Sequence, residues 1–207
     1  MKRLTAPALI LLSLIPILAG AMRVTELSGG GPVTAENARF FASPVPVVIH
    51  IVGASVYAVF GALQFDAGLR RRRPRWHRIA GRIVAPCGVA AALSGLWMAV
   101  FYPLPAGDGP ALLVMRLLFG TLMAVGIVLG VVAVRRGDIR RHRAWMARAY
   151  AVAAAAGTQA VLTLPYVLLV GPTNEATRAV LMGAGWVIPL LIAELSIRPA
   201  LRVVAVR

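Results

Sequence analysis

Six long runs of apolar residues, separated by short polar segments, dominate the hydrophobic pattern of this 207-residue chain. A helix that crosses a bilayer needs about 20 mostly apolar residues, and each run is close to that length. The pattern therefore predicts an all-α fold, a polytopic membrane bundle of six transmembrane helices that forms one integral membrane domain. The predicted spans cover residues 5–22, 44–65, 76–102, 111–134, 145–170 and 178–197.

The first apolar run has two interpretations. Lys2 and Arg3 precede it and Ala19-Gly20-Ala21 ends it, which is also the layout of a cleaved signal peptide. Its apolar core is longer than the usual signal core, so we favour a retained span. Either interpretation leaves the topology of the other five spans unchanged.

The charge distribution orients these spans. Eighteen of the 22 basic residues fall in segments on one side, together with Asp66, Asp138 and Glu194, so that side carries 18 − 3 = +15, which is the whole formal charge. Cytoplasmic loops retain Lys and Arg in this way. We therefore expect a protein of the inner membrane with cytoplasmic N and C termini. The eighteen residues are Lys2, Arg3, Arg70, Arg71, Arg72, Arg73, Arg75, Arg78, Arg82, Arg135, Arg136, Arg140, Arg141, Arg143, Arg148, Arg198, Arg202 and Arg207.

The composition excludes several classes of function. A chain that is 59% hydrophobic is no soluble domain, and its basic residues lie in short connectors beside apolar runs rather than on an aromatic-studded surface that could stack bases, so we expect no nucleic-acid partner. Lipid headgroups of anionic phospholipids account for the basic charge. Cys87 is the only cysteine, which excludes disulfides and thiolate metal cages. No hydrolase, zinc-protease or nucleotide-binding motif occurs, and we expect no stand-alone enzyme.

Two basic corners have similar sequences. Residues 70–78 read RRRRPRWHR, and residues 140–148 read RRHRAWMAR. Each corner follows one apolar run and precedes the next. This predicts a parallel repeat of a two-helix unit, spans two and three and spans four and five, about an axis along the membrane normal.

These corners also carry a resemblance to a known family. The residues concerned are Gly61-Ala62-Leu63-Gln64-Phe65, Arg70, Pro74, His77-Arg78, Gly81-Arg82, His142-Arg143-Ala144-Trp145-Met146 and Arg148, together with His50. Over roughly Pro44 to Val170, the chain resembles a bacterial membrane family catalogued as domain of unknown function 2306. The resemblance implies a multi-span protein of the inner membrane and brings no established activity.

Polar residues in the outer halves of the spans predict a ligand pocket. His50, Tyr57 and Gln64 share one face of span two, and Gln159, Thr163 and Tyr166 share one face of span five. Two potential cations at one depth, His50 and Arg116, call for an anionic or carbonyl-bearing ligand such as a carboxylate or a quinone head group. Alternatively, Glu36, Asp108 or Glu175 folds in from an outer loop and supplies the negative charge, or the polar groups only hydrogen-bond the helices to one another. The candidate pocket comprises His50, Tyr57, Arg116, Gln159 and Tyr166.

A second constellation lies at the inner ends of the spans. His77 and His142 have matching heights, and facing imidazoles are the axial ligands of haem in membrane bundles. The candidate cofactor-binding residues are His77, His142, Arg78, Arg82, Arg143 and Arg148, with the arginines near the haem propionates. The cofactor would be haem b. Alternatively, both histidines are interfacial residues that bind headgroups or helix-end carbonyls.

The preferred functional hypothesis is therefore binding of a small cofactor or ligand within the bundle, in haem- or quinone-linked electron transfer. One alternative is a small-solute transporter. Another is a non-catalytic membrane partner that binds anionic lipid or an acidic protein. We expect Glu194, the one acid within a span, to pair with Arg82 or Arg148.

Overall fold

The computed structural model describes residues 5–202, with side chains up to residue 197. Lys2, Arg3 and Arg207, and the side chains of Arg198 and Arg202, lie outside this description. The part of the chain that it covers is helical, without strands. The helices are α1 (Thr5–Ser28), α2 (Ala38–Ala42), α3 (Pro44–Gln64), α4 (Ala67–Arg72), α5 (Pro74–Phe101), α6 (Pro110–Arg135), α7 (Ile139–Leu169) and α8 (Glu175–Arg202).

Six of these helices are long and apolar enough to cross a membrane, with mean hydropathies from 1.6 to 2.6 over their most apolar 18 residues. They are α1, α3, α5, α6, α7 and α8, so the six-span, all-α prediction is confirmed. The helices extend beyond several of the predicted span ends. Asp138 lies before α7 and accepts a hydrogen bond from the backbone N–H of Arg141 at 2.8 Å, which starts the helix well before the apolar run.

The two basic corners lie at one end of the bundle, which we call the basic end. Asp66 and Asp138 each cap a helix there through a side-chain oxygen. The first corner contains the extra helix α4, whereas the second passes directly from α6 into α7. The two caps fit the repeat hypothesis, which stays a prediction. The opposite end, formed by α2 and the loop between α5 and α6, is called the loop end.

Small residues bring the helices together. α3 packs on α5, α5 on α6, α6 on α7, and α7 on α8. α1 lies against both α3 and α7. A Cβ at Gly53 of α3 would lie 2.8 Å from the Cys87 carbonyl oxygen of α5, and one at Gly157 of α7 would overlap the Leu12 carbonyl of α1. Close packing of this kind is the main attraction between helices in lipid.

The buried core lies at the centre of the bundle, around two tyrosines. The rings of Tyr57 and Tyr150 have centroids 5.7 Å apart, and the Tyr150 hydroxyl donates to the Ala58 carbonyl at 2.7 Å. Tyr57 is only 3% exposed, because its ring packs against Gly88 of α5. This core closes the bundle between the basic end and the cavity described next.

Candidate functional site: a cavity at the loop end

A cavity of about 460 Å³ opens in the half of the bundle nearer the loop end. Helices α1, α3, α5, α6, α7 and α8 contribute to its wall, which is apolar over most of its area. Pockets of some 300–1,000 Å³ with a few placed polar groups are typical small-molecule sites. The polar or aromatic side chains that line the cavity include Ser13, Arg39, His50, Ser55, Tyr102, Arg116, Gln159 and Trp186.

His50 stands on α3, and its ring faces both the cavity and α5. Its Nδ1 lies 2.8 Å from the Ala91 carbonyl oxygen. Because a carbonyl can only accept, Nδ1 carries the proton, and in the neutral ring Nε2 is then an acceptor. A Cβ at Gly95 would lie 3.2 Å from the ring carbon Cε1, so the glycine gives the imidazole room against α5.

Arg116 forms an ion pair with an acid from the α5–α6 loop. Asp108 has a side chain with no exposed surface and forms ion pairs with both Arg116 and Arg178. Of the three acids that were alternatives to a bound anion, Asp108 is thus the partner of Arg116. Glu175 instead lies against Gly109, at the amino-terminal end of α6, where the helix dipole favours a carboxylate.

Arg39, from the short helix α2, also reaches the cavity. Its guanidinium lies 4.7 Å from the centroid of the Phe40 ring and donates to the Pro103 carbonyl at 3.5 Å. Within residues 5–197 it has no carboxylate within salt-bridge distance. Burial lowers the pKa of Arg39, and the nearby Asp108 partly offsets this effect. Sequence reasoning missed Arg39, because it lies in a connector, where nothing indicated that it faces the bundle.

Gln159 and Trp186 form the side of the cavity made by α7 and α8. The Gln159 amide donates to the Met182 carbonyl at 3.0 Å, which joins the two helices and leaves the side-chain oxygen as an acceptor. Trp186 stacks on Phe119 of α6, with ring centroids 4.9 Å apart. Trp186 was not among the predicted pocket residues, because an aromatic residue in a span is usually a packing residue.

The predicted outer pocket is therefore only partly assembled on this cavity. His50, Arg116 and Gln159 line it, whereas Tyr57 and Tyr166 are not among its lining residues. Tyr57 shares a helix face with His50 but lies seven residues, about 10 Å, further along the axis, where the core closes. Thr163, on the same face of α7 as Gln159, has a buried hydroxyl without a hydrogen-bond partner among the described residues.

The second predicted constellation lies at the basic end. His142 Nδ1 donates to the Gly130 carbonyl at 2.9 Å, while His77 is close enough to His142 and Arg78 to interact with them electrostatically. Arg78, Arg82 and Arg143 are exposed. His77 and His142 thus lie at the same end of the bundle.

Arg148 is already engaged with an acid. Its Nε and Nη2 donate to the two carboxylate oxygens of Glu194, and its guanidinium carbon lies 5.2 Å from the centroid of the Trp145 ring. The predicted pairing of Glu194 with an inner arginine is thus confirmed, with Arg148 as the partner. A haem propionate could use Arg148 only by competing with this pair.

Comparison with known proteins supplies a family. A family model described as "Predicted membrane protein (DUF2306)" matches residues 47–197, which run from α3 into α8. The chain belongs to the DUF2306 family. No curated protein and no solved structure gives a significant match to this DUF2306 chain. The match shows an integral membrane protein and leaves the function to be argued from the site.

Proposed function

We propose that this DUF2306 protein binds a small, mostly apolar molecule with a quinol or quinone head group in the cavity at the loop end. The observation that carries the proposal is the cavity itself, about 460 Å³ of mainly apolar wall with His50 on one side and Gln159 on another. Such a wall accommodates a ring and the start of a tail, and two polar side chains orient the oxygen atoms.

The ion pairs at the loop end are compatible with a neutral head group. Asp108 pairs with Arg116, so Arg116 has a counterion without an anionic ligand. In the interior, the His50 imidazole and the Gln159 amide each keep an atom that can exchange a hydrogen bond with a neutral oxygen. Arg39 is placed to donate to a carbonyl oxygen at the cavity wall.

His50 distinguishes the reduced from the oxidised head group. With Nδ1 donating to Ala91, the neutral ring offers an acceptor at Nε2. A hydroquinone hydroxyl can donate to that atom, whereas a quinone carbonyl cannot. We therefore expect the quinol to bind more tightly than the quinone through His50, by about two- to tenfold for one hydrogen bond.

Quenching of tryptophan fluorescence tests the proposal on the purified protein in detergent. A hydroquinone with a short alkyl tail is titrated against its dimethyl ether, which has the same ring and tail but no O–H donor. Trp186 lines the cavity, so quenching should fall strongly in Trp186→Phe. His50→Ala should remove the preference for the hydroquinone, and His142→Ala, at the basic end, should keep it.

Two results would contradict this function. One is equal binding of the hydroquinone and its dimethyl ether to the unmodified protein, since no donor would then be recognised. The other is undiminished quenching in Trp186→Phe, since the ligand would then lie elsewhere. Uptake of a labelled solute into proteoliposomes, lost in His50→Ala, would instead favour the transporter hypothesis.

A haem-binding version is favoured by one observation at the basic end. The bond from His142 Nδ1 to Gly130 fixes the tautomer and leaves Nε2, the atom that usually ligates iron when Nδ1 donates to a carbonyl. Protein expressed with a haem supply should then show a Soret band that shifts with dithionite. His77→Ala or His142→Ala should abolish the band, and His50→Ala should leave it. A colourless preparation would exclude this version.

A further inference from the structure

The basic end contains two buried polar atoms that no described residue satisfies. They are Nε2 of Gln64, at the end of α3, and Nδ1 of His77, in the first turn of α5. The Gln64 side-chain oxygen lies 4.0 Å from the position of a Cβ at Gly81, one helical turn beyond His77. An unsatisfied buried polar group costs about 1–3 kcal/mol, so two at this end of the bundle call for an explanation.

Positive charge converges on the same place from separate helices. Arg70 of α4 donates to the backbone carbonyl of Gln64 at 3.4 Å, so its guanidinium lies beside that residue. Arg70 also interacts electrostatically with His77 and with Arg143 of α7. Burial lowers the pKa of Arg70, and repulsion from Arg143 and Arg71 lowers it further.

The local acid does not balance these charges. Asp66 is near enough to Arg70 to favour its charged form, but one Asp66 oxygen accepts the Leu69 N–H at 2.9 Å as the cap of α4. Gln64 Nε2 can only donate, and His77 Nδ1 donates in one of its two tautomers. A cluster of donors and cations with a single acid matches the oxygen atoms of a phosphate group.

We propose that Gln64, Arg70 and His77 form a binding site for the phosphate of an anionic phospholipid headgroup, with Arg143 adding positive charge nearby. The lipid is favoured over free phosphate because the site lies where two spanning helices end. Phe60, one turn before Gln64 on α3, is 45% exposed and offers an apolar surface to an acyl chain. By the positive-inside argument, the leaflet is the cytoplasmic one.

The site is independent of the quinol cavity, and it shares His77 and Arg143 with the haem hypothesis. It uses His77 Nδ1 and leaves Nε2, the atom that a haem iron would need. It also gives a role to Gln64, which belongs to the GALQF segment at residues 61–65 and does not line the loop-end cavity. Failure of the quinol experiment would leave this proposal standing, and the reverse also holds.

Lipid-dependent stabilisation tests the site. The protein is stripped of lipid in detergent and titrated with phosphatidylglycerol, and the apparent affinity is taken from the rise in melting temperature. Arg70→Gln should weaken the affinity by about tenfold, and Gln64→Leu, which keeps the size and removes the donor, by severalfold. The matched control is Arg72→Gln on the same short helix, where the side chain is exposed, and it should change the affinity less than about twofold.

Several results would overturn the proposal. Equal losses in Arg70→Gln and Arg72→Gln would show that only the overall charge of the corner attracts the lipid. Stabilisation by phosphatidylcholine as strong as that by phosphatidylglycerol would exclude recognition of an anionic headgroup. Inorganic phosphate that stabilises as well as the lipid would support the phosphate site and overturn its assignment to a phospholipid.

Discussion

Replacement of Asp108 by asparagine should destabilise the protein strongly, although the two side chains have nearly the same size and shape. The Asp108 carboxylate is fully buried and is shared by Arg116 and Arg178, whose side chains are 24% and 30% exposed. Asparagine would leave two guanidiniums without their counterion. Removing one partner of a buried ion pair costs about 3–5 kcal/mol, and the partial exposure of both arginines reduces the expected loss to about 2–4 kcal/mol.

The measurement is unfolding of the purified protein in mixed micelles, followed by circular dichroism. Asp138→Asn is the matched control, because the same chemical change falls on an exposed helix cap, where asparagine serves nearly as well as aspartate. Its cost should stay below about 0.5 kcal/mol. Adding Arg178→Gln to Asp108→Asn should restore part of the lost stability, since it removes one unbalanced cation.

Equal stabilities of Asp108→Asn and Asp138→Asn would refute this reasoning. So would a further loss on adding Arg178→Gln, because Arg178 would then stabilise the fold without its carboxylate. Either result would mean that water, rather than Asp108, compensates the arginines at the loop end.

Two further predictions concern glycines. Gly53→Ala should cost about 1–3 kcal/mol in the same unfolding assay, because its Cβ would lie 2.8 Å from the Cys87 carbonyl, whereas Gly81→Ala, whose nearest neighbour is 4.0 Å away, should be tolerated. Equal effects would contradict the close approach of α3 and α5. Gly95→Ala should displace the His50 ring, 3.2 Å from the new Cβ, and reduce the preference for hydroquinone over its dimethyl ether without unfolding the protein. An unchanged preference would show that the ring position is not critical.

Hydropathy and length predicted the spanning helices because lipid requires each segment to satisfy its backbone internally. The same reasoning located the ends of helices less well. α1 continues past Met22 to Ser28, and in this polar part Thr25 and Ser28 each donate to a carbonyl four residues earlier while Arg23 pairs with Glu26. Polar turns of this kind are invisible to a search for apolar runs.

The candidate site was only partly predictable from sequence. His50, Arg116 and Gln159 stood out because polar side chains are rare within spans. Which of the three acids pairs with Arg116 depends on the fold of the α5–α6 loop, which the sequence pattern does not reveal. Arg39 lies in a connector, and its approach to the cavity depends on how α2 sits over the bundle. A helix face gives the direction of a side chain, but the depth at which the bundle closes depends on packing between distant residues.

Helix α8 shows a distinct balance of forces. Only 11% of the residues in its most apolar 18-residue stretch are buried, yet the described side chains include three polar ties along the helix: Arg178 to Asp108, Met182 to Gln159, and Glu194 to Arg148. Each tie gains strength from a medium that excludes water, and each competes with water once the medium admits it. The attachment of α8 should therefore weaken when water reaches the helix. The association of the tightly packed pair α3 and α5 depends instead on the complementary shapes of their surfaces.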